Sequence, residues 1–124
     1  MSDAEWHVLV SRRPNLLLEG DPSVTHRLMR ALEPFLVKPV VCWRGTPQLS
    51  LPRHHRGSLV LFDVATLDAE QQQLVFDSLT EAHGRLQVIS TSAQPLFPLV
   101  KRGAFRADLY YRLNALRFDA LSKH

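Results

Sequence analysis

Ser58 to Val64 (SLVLFDV) is an almost unbroken apolar run that ends with a single acidic residue, Asp63. A run of this length and composition is typical of a strand buried on both faces of a parallel sheet, since a half-exposed strand would alternate polar and apolar side chains. Asn15 to Glu19 (NLLLE) has the same pattern between Pro14 and Gly20. The two runs predict the buried centre of a parallel sheet.

Helix signals follow both of these runs. Asp21 can cap a helix whose first position is Pro22, because a proline lacks only an N–H that would be unpaired there anyway. Asp68 and Gln71 form the pattern of a capping box, and Gly84 is a natural end for the helix that follows. The helical spacing predicts buried faces that consist of Val24, Leu28, Ala31, Leu32 and Phe35 in the first helix and of Leu74, Val75, Leu79 and Ala82 in the second.

Strand and helix patterns alternate along the rest of the chain. Further strands are predicted at Pro39 to Trp43, Leu86 to Ser90 and Ala115 to Phe118, and further helices at Pro95 to Lys101 and Phe105 to Leu113. Such alternation predicts an α/β fold with a mainly parallel sheet of about five strands and with helices on both faces. Cys42 and Trp43 are predicted to be core residues of the second strand.

The composition is that of one ordinary globular domain, which we expect to span residues 1–124. Of 124 residues, 45% are hydrophobic and 22% are charged, and the single cysteine cannot form an internal disulfide. The first ten residues do not resemble a secretion leader and the apolar runs are too short to cross a membrane, so we expect a cytoplasmic protein without a membrane partner.

The net charge of +3 is too small to indicate nucleic-acid binding by itself. The basic residues occur in scattered pairs, which are Arg12 with Arg13, Arg53 with Arg56, and Lys101 with Arg102. We therefore interpret them as a solvated surface. His54 and His55 lack the spacing of metal ligands, so no metal site is predicted.

The segment Gly103 to Asn114 (GAFRADLYYRLN) is similar to a segment of a known protein family. It resembles F-R-x-D-L-Y-Y-R-L, the arginine-finger segment of the AAA+ domain of sigma-54-dependent transcriptional activators. In the same order, Gly57 to Val64 is similar to the Walker B strand, Arg85 to Ser92 to the sensor strand, and Asn15 to Arg27 to the Walker A strand and loop. The resemblance implies a three-layer, P-loop NTPase-like sandwich and a role in transcription regulation.

The sequence departs from this family at the nucleotide-binding positions. Walker A is G-x-x-x-x-G-K-[ST], in which backbone N–H groups hold the phosphates, the lysine binds them and the hydroxyl binds Mg²⁺. Only Gly20 is retained, because Thr25, His26 and Arg27 stand at the positions of the second glycine, the lysine and the hydroxyl. Phe62 and Asp63 replace the Walker B aspartate and glutamate. The resemblance thus implies degenerate motifs and no cofactor, with ATP and Mg²⁺ held weakly at most.

A second departure concerns the contact with the sigma factor. Sigma-54 activators carry a long G-A-F-T-G-A insertion between the second strand and Walker B, whereas only Arg44 to Arg56 fills this interval here. We therefore expect no direct contact with sigma-54. The sequence also ends at His124, before the helical lid of the family, so we expect that the chain is not a self-sufficient activator.

Arg106 and Arg112 are the candidate interaction residues, because they match the arginine fingers that reach a neighbouring subunit. The resulting hypothesis is a non-catalytic regulatory module that docks onto an intact sigma-54 activator or another AAA+ subunit. Alternatively, the segment persists for folding alone, with Phe105, Leu109 and Leu113 in the core and an Asp108–Arg112 pair on the surface. Two further alternatives are a weak ATP-binding protein or slow ATPase, and a small basic nucleic-acid-binding module.

Overall fold

The computed structural model describes residues 2–119, which form a five-stranded sheet in the order β2-β3-β4-β1-β5. All four pairs of neighbouring strands are parallel. The strands are β1 (Leu16–Glu19), β2 (Val40–Trp43), β3 (Gly57–Leu61), β4 (Leu86–Ser92) and β5 (Leu116–Asp119). The predicted parallel α/β sheet of five strands is confirmed.

Five α-helices accompany the sheet within the described range. They are α1 (Asp3–Arg12), α2 (Pro22–Leu32), α3 (Ala69–Ala82), α4 (Phe97–Lys101) and α5 (Ala107–Leu113). The capping box of α3 is present, since the Gln71 N–H donates to Asp68 Oδ1 over 2.7 Å and the Asp68 N–H donates to Gln71 Oε1 over 2.9 Å. None of the helices within residues 2–119 is both long and apolar enough to cross a membrane.

The sheet separates two apolar cores. Along β1, the Leu17 side chain belongs to the core beneath α3 and α5, whereas Leu16 and Leu18 belong to the core beneath α1 and α2. All three leucines have 0% exposure. Because side chains alternate between the faces of a strand, this burial on both sides explains why the NLLLE run has no polar alternation.

The predicted faces of α2 and α3 are wrong in part. In α2 the buried residues are Thr25, Met29 and Leu32, while Ala31 is exposed and Phe35, which lies beyond the helix, is 47% exposed. In α3 Leu74 is 41% exposed, because the buried face is completed by Gln71, Gln72 and Ser78 instead. The buried polar residues Thr25, Gln71, Gln72 and Ser78 could not be predicted, because apolar spacing alone does not indicate them.

The prediction that Cys42 is a core residue is also wrong. Cys42 is exposed because β2 is an edge strand and its burial alternates, with only Trp43 fully covered. Trp43 is buried as predicted, and its indole N–H donates to the carbonyl oxygen of Thr46 over 2.9 Å. The edge position follows from the strand order, which a single apolar run does not encode.

The connection from β2 to β3 is short and attached to α3. Gln71 donates from its amide to the carbonyl oxygens of Thr46 and Pro47, each over 3.2 Å. Leu49 and Leu51 pack against the core, so this connection is partly buried. No α-helix forms between Arg44 and Arg56.

Helix α5 begins two residues later than predicted, at Ala107. Phe105, Leu109 and Leu113 are nevertheless buried as expected, with 2%, 0% and 0% exposure. The predicted Asp108–Arg112 pair does not form, because Asp108 pairs with Arg106 over 2.7 Å. Helix α1 was not predicted from the sequence. Leu9 is its only fully buried residue, so the sequence of α1 shows no strong apolar face.

Replacing Leu109 with alanine should cost about 2–5 kcal/mol of unfolding free energy, because it removes a fully buried side chain and leaves a cavity. Leu74→Ala is the matched control, since Leu74 is 41% exposed and we expect a change within about 0.5 kcal/mol. Urea denaturation followed by circular dichroism measures both. Equal losses for the two variants would contradict the assignment of α5 to the core.

Candidate functional site

The residues predicted for nucleotide binding meet at the carboxyl edge of the sheet. β1 is followed by Gly20 and β3 by Phe62 and Asp63, and parallel strands end at the same edge. A shallow pocket of about 120 Å³ is lined there by Gly20, Thr25, His26 and Asp63, among others. Arg27 is not part of this lining, and its Nε donates to the Ser23 carbonyl oxygen over 3.4 Å.

The turn between β1 and α2 contains only Gly20 and Asp21. Because the helix already begins at Pro22, the three residues at the G-K-[ST] positions lie within α2 rather than in a loop before it. The Thr25 N–H, for example, donates to the Asp21 carbonyl oxygen over 3.0 Å as part of the first helical turn. Backbone N–H groups engaged in a helix cannot wrap around phosphates as those of a P-loop do.

Asp21 occupies the position at the start of α2 where an anion would bind. Its Oδ1 accepts from the Ser23 N–H over 2.9 Å and from the Ser23 hydroxyl over 3.0 Å. These bonds, the one from the backbone N–H first, lower the pKa of the Asp21 carboxyl below its usual value. At neutral pH the Asp21 carboxylate is therefore charged and already accepts from the Ser23 N–H, so it would repel a phosphate and compete with it for this helix end.

Phe62 stands at the Walker B aspartate position and joins a small cluster. The His26 ring meets the Phe62 ring edge-on with 5.6 Å between the centroids, and the Arg44 guanidinium carbon lies 4.0 Å from the Phe62 centroid. Such contacts are typical of packed aromatic and cation–π pairs. Arg44 was not among the predicted site residues, although it lies directly after β2 and therefore at the carboxyl edge of the sheet.

Asp63, at the position of the water-activating glutamate, is exposed and has a left-handed backbone with φ 56°. Its N–H donates to Thr91 Oγ1 over 2.9 Å, which fixes the backbone and not the carboxylate. Ser92, at the sensor position, donates its hydroxyl to the Gln94 carbonyl oxygen over 2.6 Å. Glu19 was not predicted as a site residue either; it is buried and accepts from the Leu96 N–H over 2.8 Å.

Arg106 is held by its own neighbourhood. Its Nε and Nη2 donate to the two carboxylate oxygens of Asp108 over 2.9 and 2.7 Å, and Nη1 contacts the Gln73 amide oxygen. The bidentate bonds raise the pKa of Arg106 and lower that of Asp108. The guanidinium carbon also lies 4.9 Å from the Phe76 ring centroid.

Arg112 is exposed and is held more loosely than Arg106. Its guanidinium carbon lies 5.7 Å from the Phe76 centroid, and no carboxylate of residues 2–119 forms a salt bridge with it. The two arginines therefore share Phe76 as a platform but differ in freedom. Neither lines the pocket at the nucleotide positions.

A metal site is not formed within the part of the chain that the structure describes, where no three His, Cys, Asp or Glu residues come together. His54 is exposed, while His55 is partly buried and its Nδ1 lies 2.8 Å from Ser78 Oγ. The second histidine thus has a structural partner on α3.

Comparison with known proteins gives consistent results. A family model described as the Sigma-54 interaction domain matches residues 26–121. The HTH-type transcriptional regulatory protein TyrR of Enterobacter agglomerans is 53% identical over 39 residues, which are 32% of this chain and 8% of that protein. This chain therefore spans less than a tenth of TyrR.

Solved structures share the fold at low sequence identity. NtrX from Brucella abortus in complex with ATP has a TM-score of 0.74 and 19% identity, over 98% of this chain and 36% of that one. The P-loop NTPase domain of the sigma-54 transport activator from E. coli has a TM-score of 0.65 and 22% identity, over 100% of both chains. The fold is therefore that of a P-loop NTPase domain.

Replacing Asp21 with alanine should lower the melting temperature at pH 7 by a few degrees, because the N-cap of α2 is lost. The folded-state pKa of Asp21 is lowered, so its stabilisation is present above the unfolded pKa of about 3.9 and is lost as the pH falls through the folded value. The difference between the two proteins should therefore shrink below about pH 4. Glu81→Ala, at an exposed position of α3, is the control for charge. Equal effects of both substitutions would contradict the cap.

Proposed function

The chain belongs to the sigma-54 interaction domain family of transcription regulation, and we propose that it is a non-catalytic, AAA+-like interaction module within it. One observation carries the proposal. The turn between β1 and α2 has two residues, and the Asp21 carboxylate fills the helix end where a P-loop holds phosphate. The module therefore uses neither ATP nor another cofactor.

The other nucleotide positions support the same proposal. The pocket at Gly20, Thr25 and Asp63 has about 120 Å³, whereas a nucleotide site normally needs roughly 300–1,000 Å³. A neighbouring cavity of about 400 Å³ shares His26 and Phe62 with it, but Gly20, Thr25 and Asp63 do not line that cavity. Phe62 offers no ligand to Mg²⁺, and its ring packs against His26 and Arg44. Asp63 alone is too short a carboxylate to position both a metal and an attacking water.

The interaction surface that we propose centres on α5. Tyr111 is 64% exposed and Arg112 lies beside it, and these residue types are enriched at the energetic centres of protein interfaces. Phe97, 41% exposed, stacks at 5.8 Å against Tyr110, whose ring lies 5.3 Å from that of Tyr111. Two exposed aromatic side chains, Phe97 and Tyr111, that both contact the buried Tyr110 are suited, together with the exposed Arg112, to docking on another protein.

The partner that we propose is an intact sigma-54 activator or another AAA+ subunit. In rings of this class each nucleotide site is shared between neighbours, so a subunit that contributes arginines without binding ATP would lower the ring's activity. Direct contact with sigma-54 is not part of the proposal, since Arg44 to Arg56 is short and held against α3 by Gln71. We also propose that the protein acts in the cytoplasm, because sigma-54-dependent transcription is regulated there.

With 5 mM ATP and Mg²⁺, the melting temperature should rise by less than about 2 °C, because a Kd above the ligand concentration stabilises by less than RT ln 2. Differential scanning fluorimetry and isothermal titration measure this directly. A shift of several degrees that His26→Ala or Arg27→Ala abolishes would show that α2 does hold phosphate. The slow-ATPase alternative would then replace the proposal.

Arg112→Ala should change the unfolding free energy by no more than about 0.5 kcal/mol, since the side chain is exposed, forms no salt bridge within residues 2–119 and lies 5.7 Å from the Phe76 ring centroid. It should nevertheless abolish the protein's effect on the ATPase rate of intact sigma-54 activators from the source organism. Arg112→Lys should restore little, because the planar fork is lost.

Arg102→Ala is the matched control, because it removes the same charge from an exposed position on α4's C-terminal side. It should leave the effect on the partner intact. Arg106→Ala is less diagnostic, since Arg106 also holds Asp108 and Gln73. A folded Arg112→Ala protein that acts on every tested activator as the unmodified chain does would refute the role of Arg112.

A further inference from the structure

The amino edge of the sheet, opposite the nucleotide positions, carries a row of cations. Lys38, Arg56 and Arg85 each stand one or two residues before a strand, namely β2, β3 and β4. These three strands are neighbours, and continuing their register past Val40↔Ser58 and Gly57↔Leu86 places the three residues opposite one another. Arg12 and Arg13 end α1 just before β1, the next strand in the sheet.

The row lines one open cavity of about 530 Å³. Six of its lining residues are cations, and no aspartate or glutamate lines it: Arg12, Arg13, Lys38, Arg53, Arg56 and Arg85. None of the six forms a salt bridge with a carboxylate of residues 2–119, where the only such bridge joins Arg106 and Asp108. Two of the three basic pairs that are scattered in the sequence, Arg12 with Arg13 and Arg53 with Arg56, therefore line the same cavity.

The carbonyl groups at the C-terminal ends of α1 and α3 offset part of the repulsion between these cations. α1 terminates at this edge, and helix C-terminal carbonyl groups favour nearby cations. Arg85 follows α3, and its Nε donates to the Ala82 carbonyl oxygen over 3.0 Å. This contact pairs a carbonyl group at the end of α3 with one cation of the row.

We propose that this basic edge binds the phosphate backbone of nucleic acid. Strands lie about 4.8 Å apart, so the row across four strands spans roughly 14 Å, and one strand of B-DNA presents a phosphate about every 3.4 Å along the axis. Five of the six cations are arginines, whose planar forks match phosphate oxygens. Binding through phosphates alone is independent of base sequence.

The cavity lacks what the competing ligands require. A membrane surface would need large apolar side chains beside the cations, but Val37 is the one such exposed residue in the lining. An acidic peptide carries its carboxylates on flexible side chains, whose ordering costs free energy, whereas the phosphates of a nucleic acid belong to its backbone. Arg112 does not line the basic cavity, although it shares a neighbouring pocket with Arg13 and Gly84, which do. Arg53 and Arg56 do not line that neighbouring pocket, so their substitution distinguishes this inference from the proposed docking through Arg112.

The test is fluorescence anisotropy of the full chain with a labelled 20-base-pair DNA duplex at a series of salt concentrations. The unmodified protein should bind at 50 mM salt, with affinity falling steeply as salt rises. The Arg53→Gln/Arg56→Gln variant should bind about tenfold more weakly or worse, and its log–log salt slope should be smaller by about 1.8, since each lost phosphate contact removes about 0.9. Both side chains are exposed and have no hydrogen bond within residues 2–119, so folding should be preserved.

Lys101→Gln/Arg102→Gln is the matched control, because it removes two exposed charges outside the cavity. It should keep both the affinity and the slope. Lys38→Gln/Arg56→Gln tests the same edge with a different pair, should the first variant fail to fold. The proposal is overturned if both charge removals weaken binding equally, if the duplex does not bind at 50 mM salt, or if polyglutamate of equal charge or phosphatidylserine vesicles compete as well as unlabelled duplex.

Discussion

Parallel pairing of β1 with β4 and β5 is the constraint on which the rest of the molecule depends. A strand flanked by parallel neighbours and covered on both faces is mainly apolar, as Leu16, Leu17 and Leu18 are, and the buried Glu19 that ends β1 needs a hydrogen-bond partner, which is the Leu96 N–H. Because all neighbouring strands are parallel, their carboxyl ends lie at one edge of the sheet and their amino ends at the other. The carboxyl edge thereby collects Gly20, Asp63 and their neighbours, and the amino edge collects the cations that precede β2, β3 and β4.

The turn after β1 shows how local stability and ligand binding compete for the same backbone. A helix start leaves N–H groups that either a side chain or a bound anion can satisfy. Here Asp21 satisfies the Ser23 N–H, and Pro22 contributes no N–H at all. α2 therefore begins without a ligand, and the chain can fold without the nucleotide that a P-loop is built to hold. In the proposed non-catalytic module, the absence of a phosphate cradle and the self-capped start of α2 are therefore the same structural feature.

The strands and the α3 cap could be predicted from sequence because apolar runs and capping boxes are local signals. The exposure of Cys42 could not, since it depends on β2 lying at the edge of the sheet. Nor could the pairing of Asp108 with Arg106, because Gln73 and Phe76 of α3 help to place that arginine. The row of cations needed strand order and register, although basic residues standing before successive strands were a usable signal.

The arginine segment separates what the fold requires from what it does not. Leu109, Tyr110 and Leu113 are buried, so core packing alone explains why such residues are kept in α5. The same packing makes no demand on Tyr111 or Arg112, which project outward, and an exposed aromatic residue beside a cation carries a cost in solubility. Packing in the core therefore explains the buried residues of the F-R-x-D-L-Y-Y-R-L resemblance. A partner would have to act on the exposed residues, Tyr111 and Arg112.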